Sequence, residues 1–395
     1  MNECIYANAL TPDGNKSDLA TRDGCFVPID TVSTDAKKID LDGLTVLPVF
    51  VEGHIHLDKS FVGDGWFPHR PVGSLRERLD VEKCLLSSAL PVVERAEALL
   101  AQAHSFGTVA MRSHVDIDPV LGLDNLNAVV AACEMWKGRV DVELVAFPQA
   151  GIVSSPGTAD LLDAAMREGA TVVGGLDPTE FDGDADAHLD VVFGTAERHG
   201  AKIDIHLHEH GAGGIKQIER IAARAAAAGM SGLVTISHAY ALGDVSRDEA
   251  RRVSTILAEA GVSILTNAPG DHPFPPIDVL RAEGVHVFAG NDNIRDAWWP
   301  YGNGDLLERA MLIGYRSGLY TDEQLGVALD MISVDSARAI GRALPGFAIG
   351  DEASFVIVDA LNAAAAVASP PSERLLVQHG KIVQPTRPSI RSRLF

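Results

Sequence analysis

Eight short runs rich in Val, Ile, Leu and Thr recur between residues 45 and 290, and Ala-rich amphipathic stretches lie between them. The runs span 45–51, 108–113, 141–147, 171–176, 202–208, 233–238, 262–267 and 285–290. The intervening segments, such as 94–106, 159–169 and 215–229, carry helical periodicity, and several end in Gly just before the next run, as a helix C-cap requires. Strands that alternate with helices cannot pair through hairpins, so they form a parallel sheet, and eight of them favour a closed barrel over an open sheet. The flanks differ. Residues 1–44 are short segments punctuated by "TPDG", "TRDG" and "DLDG", and the last fifty residues hold strand-like runs without long helices. The expected fold is therefore α/β, a (β/α)8 TIM barrel over 49–346 with a small β-sandwich domain built from both chain ends, 1–48 and 347–395. The tract 363–372, "AAAAVASPPS", is expected to be a surface loop.

Charge narrows the partners. There are 54 acidic against 33 basic residues, a formal net charge of -21, and no basic cluster interleaved with aromatics. Nucleic acid would be repelled by such a surface. The first residues lack the basic-then-apolar pattern of a signal peptide, and no apolar run approaches the roughly 20 residues of a membrane span, so a cytoplasmic protein without membrane contacts is expected. Cys4, Cys25, Cys84 and Cys133 form no C-x-x-C pair and suggest neither a disulfide framework nor a thiolate metal site.

Titratable residues gather at the C-terminal ends of the runs, where barrel enzymes place their chemistry. His54 and His56 are two apart on a strand, so both project to one side and can offer imidazole nitrogens to one metal ion. "IDIHLHEHG" at 203–211 ends another run with His206, His208, Glu209 and His210; spacing does not choose between His206 and His208 as a third ligand, and a nearby carboxylate could move protons. His238 and Asp292 end two later runs. Three imidazoles and a carboxylate leave an open position on an ion such as zinc or iron(II), which lowers the pKa of a bound water towards neutrality.

With these residues assembled, the chain resembles the amidohydrolase superfamily, most closely its bacterial cytosine deaminase branch. The matching stretches are "FVEGHIHLD" 50–58, "RSHVDI" 112–117, "VAFPQAGI" 145–152, "IDIHLHE" 203–209, "SHAYAL" 237–242 and "GNDNIRDAWWPYG" 290–302. The resemblance implies His54, His56, His206 and Asp292 as metal ligands, Glu209 as proton shuttle, and His238 as hydrogen-bond partner of the attacking water. It also implies Gln149 as the residue that binds the amide edge of a cyclic substrate, Trp298 as a pocket wall, and a homo-oligomer. Many relatives with two metals carry a lysine at the end of the fourth strand; here that strand reads "TVVGGLDP", and Lys202 opens the fifth strand at the opposite end, so a single divalent ion is expected.

One departure bears on the substrate. Where cytosine deaminases have two consecutive aspartates, Asp292 is followed by Asn293, which changes charge and donor pattern where the departing amino group is recognised. Lys59 and His210 are expected to be solvated or structural residues near the pocket rim. The expected activity is metal-dependent hydrolytic deamination of a small nitrogen heterocycle, cytosine or a related ring. The alternatives are removal of an alkylamino group from an aminotriazine or of an imino group from a creatinine-like ring, and a catalytically silent metal-binding homologue.

Overall fold

The computed structural model describes residues 2–73, 75–270 and 272–383. Phe50–Ile55 (β1), Thr108–Asp116 (β2), Asp141–Phe147 (β3), Val172–Leu176 (β4), Lys202–Leu207 (β5), Val234–His238 (β6), Ser263–Thr266 (β7) and Val287–Ala289 (β8) form one eight-stranded sheet in which every strand neighbours the next in sequence. Pairing is parallel, and the register sets His206 beside Ser237 and Leu207 beside His238. A parallel bridge between Ile55 and Asp292 brings the chain after β8 back to β1, and the Asp292 amide donates to the His54 carbonyl at 2.7 Å. The expected barrel is thus present and almost closed.

Helices fill the gaps as the periodicity requires, among them Leu75–Leu86 (α1), Thr158–Arg167, Ala185–His199, Gly211–Ala227 and Arg247–Ala260. Gly200 and Gly261 cap two of them in the left-handed region, at φ 61° and 66°, where a side chain would be strained. Among the described residues no helix is long and apolar enough to cross a membrane.

The run 45–51 splits in two. Thr45–Pro48 pairs antiparallel with Phe355–Val358 in a second sheet, and Phe50–Ile55 opens the barrel. Pro48 has no N–H to continue a ladder, so the strand ends there. The second sheet takes its eight strands from the two ends of the chain, and Tyr6, Phe26 and Phe355 pack at its core, with ring centroids 5.2 Å and 5.9 Å apart for Tyr6–Phe355 and Phe26–Phe355. Residues 363–368, expected as loop, form a short helix instead. Asn362 caps it by accepting from the Ala365 amide at 2.8 Å, and alanine is the strongest helix former, which outweighs the looseness suggested by the following Ser-Pro-Pro.

The chain divides into two compact units, one built from the chain's ends together with residues 101–109, the other from residues 52–100 and 110–303. Every candidate site residue belongs to the second unit.

Candidate active site

Strand alternation decides which side chains enter the barrel. In β5, Ile203, Ile205 and Leu207 alternate with Asp204 and His206, and the two polar residues meet groups from β1, β2 and β6 inside. A chain of polar contacts climbs from the N-terminal end of the barrel to its mouth. Lys202 Nζ donates to Glu143 Oε1 at 2.6 Å, and Arg112 donates through Nε to Glu143 Oε2 at 2.7 Å and through Nη1 to Asp204 Oδ2 at 2.9 Å. The Ser237 hydroxyl donates to Asp204 Oδ1 at 2.6 Å and lies 3.1 Å from His54 Nδ1. Because the serine proton goes to Asp204, its oxygen accepts from His54 Nδ1–H, and His54 is left presenting the lone pair of Nε2. Lys202 stands at the end away from the cluster, as its place in β5 requires. Burial pushes the Asp204 carboxyl up to about 6, although Arg112 and Ser237 hold it down.

At the mouth, ligand atoms of His54, His206, His238 and Asp292 all lie within 4.8 Å of one another, and all four residues are buried. His56 joins them through Asp292: its Nε2 is 3.3 Å from Asp292 Oδ1, and His54 Nε2 is 3.5 Å from the same oxygen. Asp292 Oδ2 accepts from Asn267 Nδ2 at 2.8 Å, which orients the carboxylate. His238 and Asp292 reach the cluster through backbone at φ 73° and 61°. Simple alternation would turn His238 away from the side that Ser237 faces; the left-handed conformation swings it inward, a strain of the kind found at functional strand ends.

The imidazoles fit a cation. His54 Nε2 and both ring nitrogens of His206 and His238 are buried and have no hydrogen-bond partner among the described residues. Burial drives the His54 pKa down to about 3, against the pull of Asp292, and lowers His56, His206 and His238 well below the ordinary histidine value. Neutral, desolvated imidazoles beside a carboxylate form a donor set that a divalent ion would satisfy. This His/Asp set points to a divalent metal.

Glu209 follows β5 and is 3% exposed; its Oε1 accepts from the amides of Thr179 and Glu180 at 2.7 and 3.0 Å. Those two amides engage Oε1 and not Oε2, and burial raises the carboxyl above its ordinary value despite them. His208 faces Asp177, with Nδ1 2.8 Å from Oδ2, and stacks on His238 at 4.7 Å. His210 is half exposed and pairs with Asp244 at 2.7 Å, in keeping with a structural residue.

Of the two roles expected for Lys59, solvated or structural, its surroundings fit the structural one. It is 1% exposed, 3.0 Å from Asp116 Oδ1 and 3.8 Å from Glu82 Oε1, and its ammonium lies 5.3 Å from the Phe147 ring centroid. Gln149 and Trp298 come together on the same carboxylate: Gln149 Nε2 donates to Glu82 Oε2 at 2.5 Å and Trp298 Nε1 to Glu82 Oε1 at 2.7 Å. Asn293 Nδ2 donates to Asp296 Oδ2 at 2.6 Å, and burial pushes Asp296 up to about 7.

Two residues escaped the sequence reading. Glu82 lies in α1 within "RERLDVEK", which reads as an ordinary charged helix face; no local signal marks it. His114, in "RSHVDI", ends the second run as the other candidates end theirs, and that position was the available signal. It stacks on His54 with centroids 3.9 Å apart, and its Nε2 is 3.7 Å from Asp204 Oδ2. Asp204 is already engaged by Arg112 and Ser237, so His114 serves as the floor beneath His54.

Comparisons with known proteins identify the family and the fold. A model of the amidohydrolase family matches residues 69–384. The crystal structure of N-isopropylammelide isopropylaminohydrolase from Burkholderia multivorans superposes with a TM-score of 0.91 over 97% of this chain and 98% of that one, at 37% sequence identity. That of 5-methylcytosine deaminase from Klebsiella pneumoniae, liganded with 5-fluorocytosine, gives 0.83 over 98% of each chain at 26% identity. N-isopropylammelide isopropyl amidohydrolase from Pseudomonas sp. (strain ADP) is 29% identical over 356 residues, 88% of this chain and 87% of that protein.

Proposed function

The chain belongs to the amidohydrolase family, and from that premise we propose that it hydrolyses the exocyclic C–N bond of a small oxo-substituted nitrogen heterocycle, releasing an alkylamine or ammonia. The observation that carries this is the convergence of buried imidazoles, with ring nitrogens that have no partner among the described residues, on Asp292 at the C-terminal mouth of a parallel barrel.

His54, His56, His206 and Asp292 would hold one divalent ion, zinc or iron(II). When bound, such an ion makes a water acidic enough to attack carbon at neutral pH. Asp292, whose Oδ1 faces the histidines and whose Oδ2 is held by Asn267, would both help to hold the ion and take up a proton. Glu209 would deliver a proton from Oε2 to the ring nitrogen beside the substituted carbon, then take up the hydroxyl proton of the added oxygen and pass it to the departing amine as the C–N bond breaks. Burial raises its pKa above the ordinary carboxyl value, which favours the protonated form that this role needs. His238 would hydrogen-bond the attacking oxygen and hold the charge that develops there. Gln149 would grip the ring edge, and Trp298 would wall the pocket.

Asn293 favours an aminotriazine-type ring bearing an N-alkylamino group. A primary amino group offers two N–H donors and leaves as a cation precursor, which a second carboxylate would recognise well. Asn293 has its amide nitrogen on Asp296 and offers only a neutral oxygen, enough for the single N–H of a secondary amine. The resemblance to the Burkholderia aminohydrolase supports the same choice, and the likeness to 5-methylcytosine deaminase supports cytosine as the second reading.

Amine and ammonia release from N-isopropylammelide, cytosine, 5-methylcytosine, isocytosine and creatinine, by protein loaded separately with zinc, iron(II) or manganese, tests the proposal. Preferred turnover of N-isopropylammelide is the expected result; preferred turnover of cytosine would move specificity to the second reading. Metal binding without turnover of any ring would sink the proposal in favour of a silent homologue.

A further inference from the structure

Glu82 is a buried carboxylate with no part in the chemistry above, and it accepts from the two residues proposed to touch the substrate ring. It is 2% exposed on α1, while the next residue, Lys83, turns to Asp118 at 3.0 Å. Its Oε2 takes the Gln149 amide nitrogen at 2.5 Å, its Oε1 takes the Trp298 indole N–H at 2.7 Å, and Lys59 stands 3.8 Å from Oε1. Lys59 is itself paired with Asp116 at 3.0 Å, so the positive charge is shared by two carboxylates.

A primary amide has a donor end and an acceptor end, and a carboxylate can only accept. Beside Glu82, Gln149 therefore has one favourable orientation, with Nε2 on the carboxylate and Oε1 turned to what it binds. We infer that Glu82 is a positioning residue that fixes Gln149 as a hydrogen-bond acceptor, so that the site selects rings presenting an N–H, the lactam form, at that edge. This rests on the proposed role of Gln149 at the substrate. A ring nitrogen carrying a lone pair or a methyl group there would leave a polar oxygen buried and unpaired, the kind of mismatch that discriminates strongly between analogues.

The test is binding, measured by calorimetry on the zinc-loaded protein, and needs no turnover. Cyanuric acid presents ring N–H groups on every side; its trimethyl derivative presents none. The wild type is expected to bind the first and to reject the second. Glu82→Gln lets the Gln149 amide turn end for end, and is expected to weaken cyanuric acid by about tenfold or more while the zinc content stays unchanged. In Gln149→Met the same Glu82→Gln change is expected to add nothing, because Glu82 acts through the amide. Equal binding of both rings or of neither by the wild type, undiminished binding in Glu82→Gln, or a full Glu82 effect persisting in Gln149→Met would each overturn the inference. Should Glu82→Gln fail to fold, Gln149→Met alone decides, since retained selectivity between the rings would overturn it. Loss of turnover on the heterocycle panel with this binding pattern intact would refute the proposed reaction and leave the positioning role standing.

Discussion

Replacing Arg112 by Met should destabilise the barrel, and should do so far more at pH 8 than at pH 5. Arg112 is 1% exposed and joins Glu143 at 2.7 Å to Asp204 at 2.9 Å; Asp204 is wholly buried. Methionine fills much of the volume but leaves Asp204 without its cation, whereas Glu143 keeps Lys202 at 2.6 Å. Stranding one member of a buried ion pair costs about 3–5 kcal/mol. The sign of the pH dependence follows from burial, which raises the Asp204 carboxyl to about 6 even with Arg112 and Ser237 lowering it. A carboxyl with a folded pKa above its unfolded one contributes stability that is complete below the unfolded value and lost as pH rises through the folded value. Without the guanidinium the folded pKa climbs further, so the penalty is largest at pH 8. At pH 5 a neutral Asp204 needs no counter-ion, and only the lost hydrogen bonds remain, about 1–2 kcal/mol. Urea unfolding of metal-free wild type and variant, followed by tryptophan fluorescence at both pH values, gives the two differences. Equal losses at pH 5 and pH 8, or a loss below about 1 kcal/mol at pH 8, would refute the placement of Asp204 as a charge that Arg112 neutralises.

Glu209→Gln should keep the fold and the bound metal, because the amide oxygen can still accept from Thr179 and Glu180, yet lower kcat by about a hundredfold or more; metal analysis beside amine release checks both halves. His206→Ala should lose metal and turnover together, and a variant that retained stoichiometric metal by elemental analysis would contradict its place in the ligand set. Asp296, raised to about 7 by burial, should lose stabilising power as pH rises from about 4 to 7, so Asp296→Asn should gain on the wild type by up to about 4 kcal/mol across that interval. A pH-independent difference in urea midpoints would show that Asp296 is ionised throughout. Chelation should lower the melting temperature, since an ion at a thousand times its Kd adds about 4 kcal/mol, and readdition of zinc should restore it.

The alternation of β-branched runs with Ala-rich helices is a local property, since each segment must bury its own apolar stripe, and it was enough to indicate a barrel before any contact was known. The H-x-H pair at 54 and 56, and the histidines and Asp292 at later strand ends, were legible for the same reason: period-two geometry and a common barrel mouth bring them towards one place. What lay beyond sequence was set by packing between distant segments. His238 has the wrong alternation relative to Ser237 and enters only through a left-handed turn. The sequence leaves Lys59 either solvated or structural, and only its burial against Asp116 and Glu82 decides for the interior. Glu82 resembles any charge on an amphipathic helix, and Gln149 lies 67 residues away; their 2.5 Å contact joins α1 to the loop after β3. Periodicity reports which side of a segment is buried. Which partner waits there, and hence whether a charge is solvated, paired or positioned for recognition, is a tertiary property, because electrostatic and hydrogen-bond energies depend on groups that the local chain does not contain.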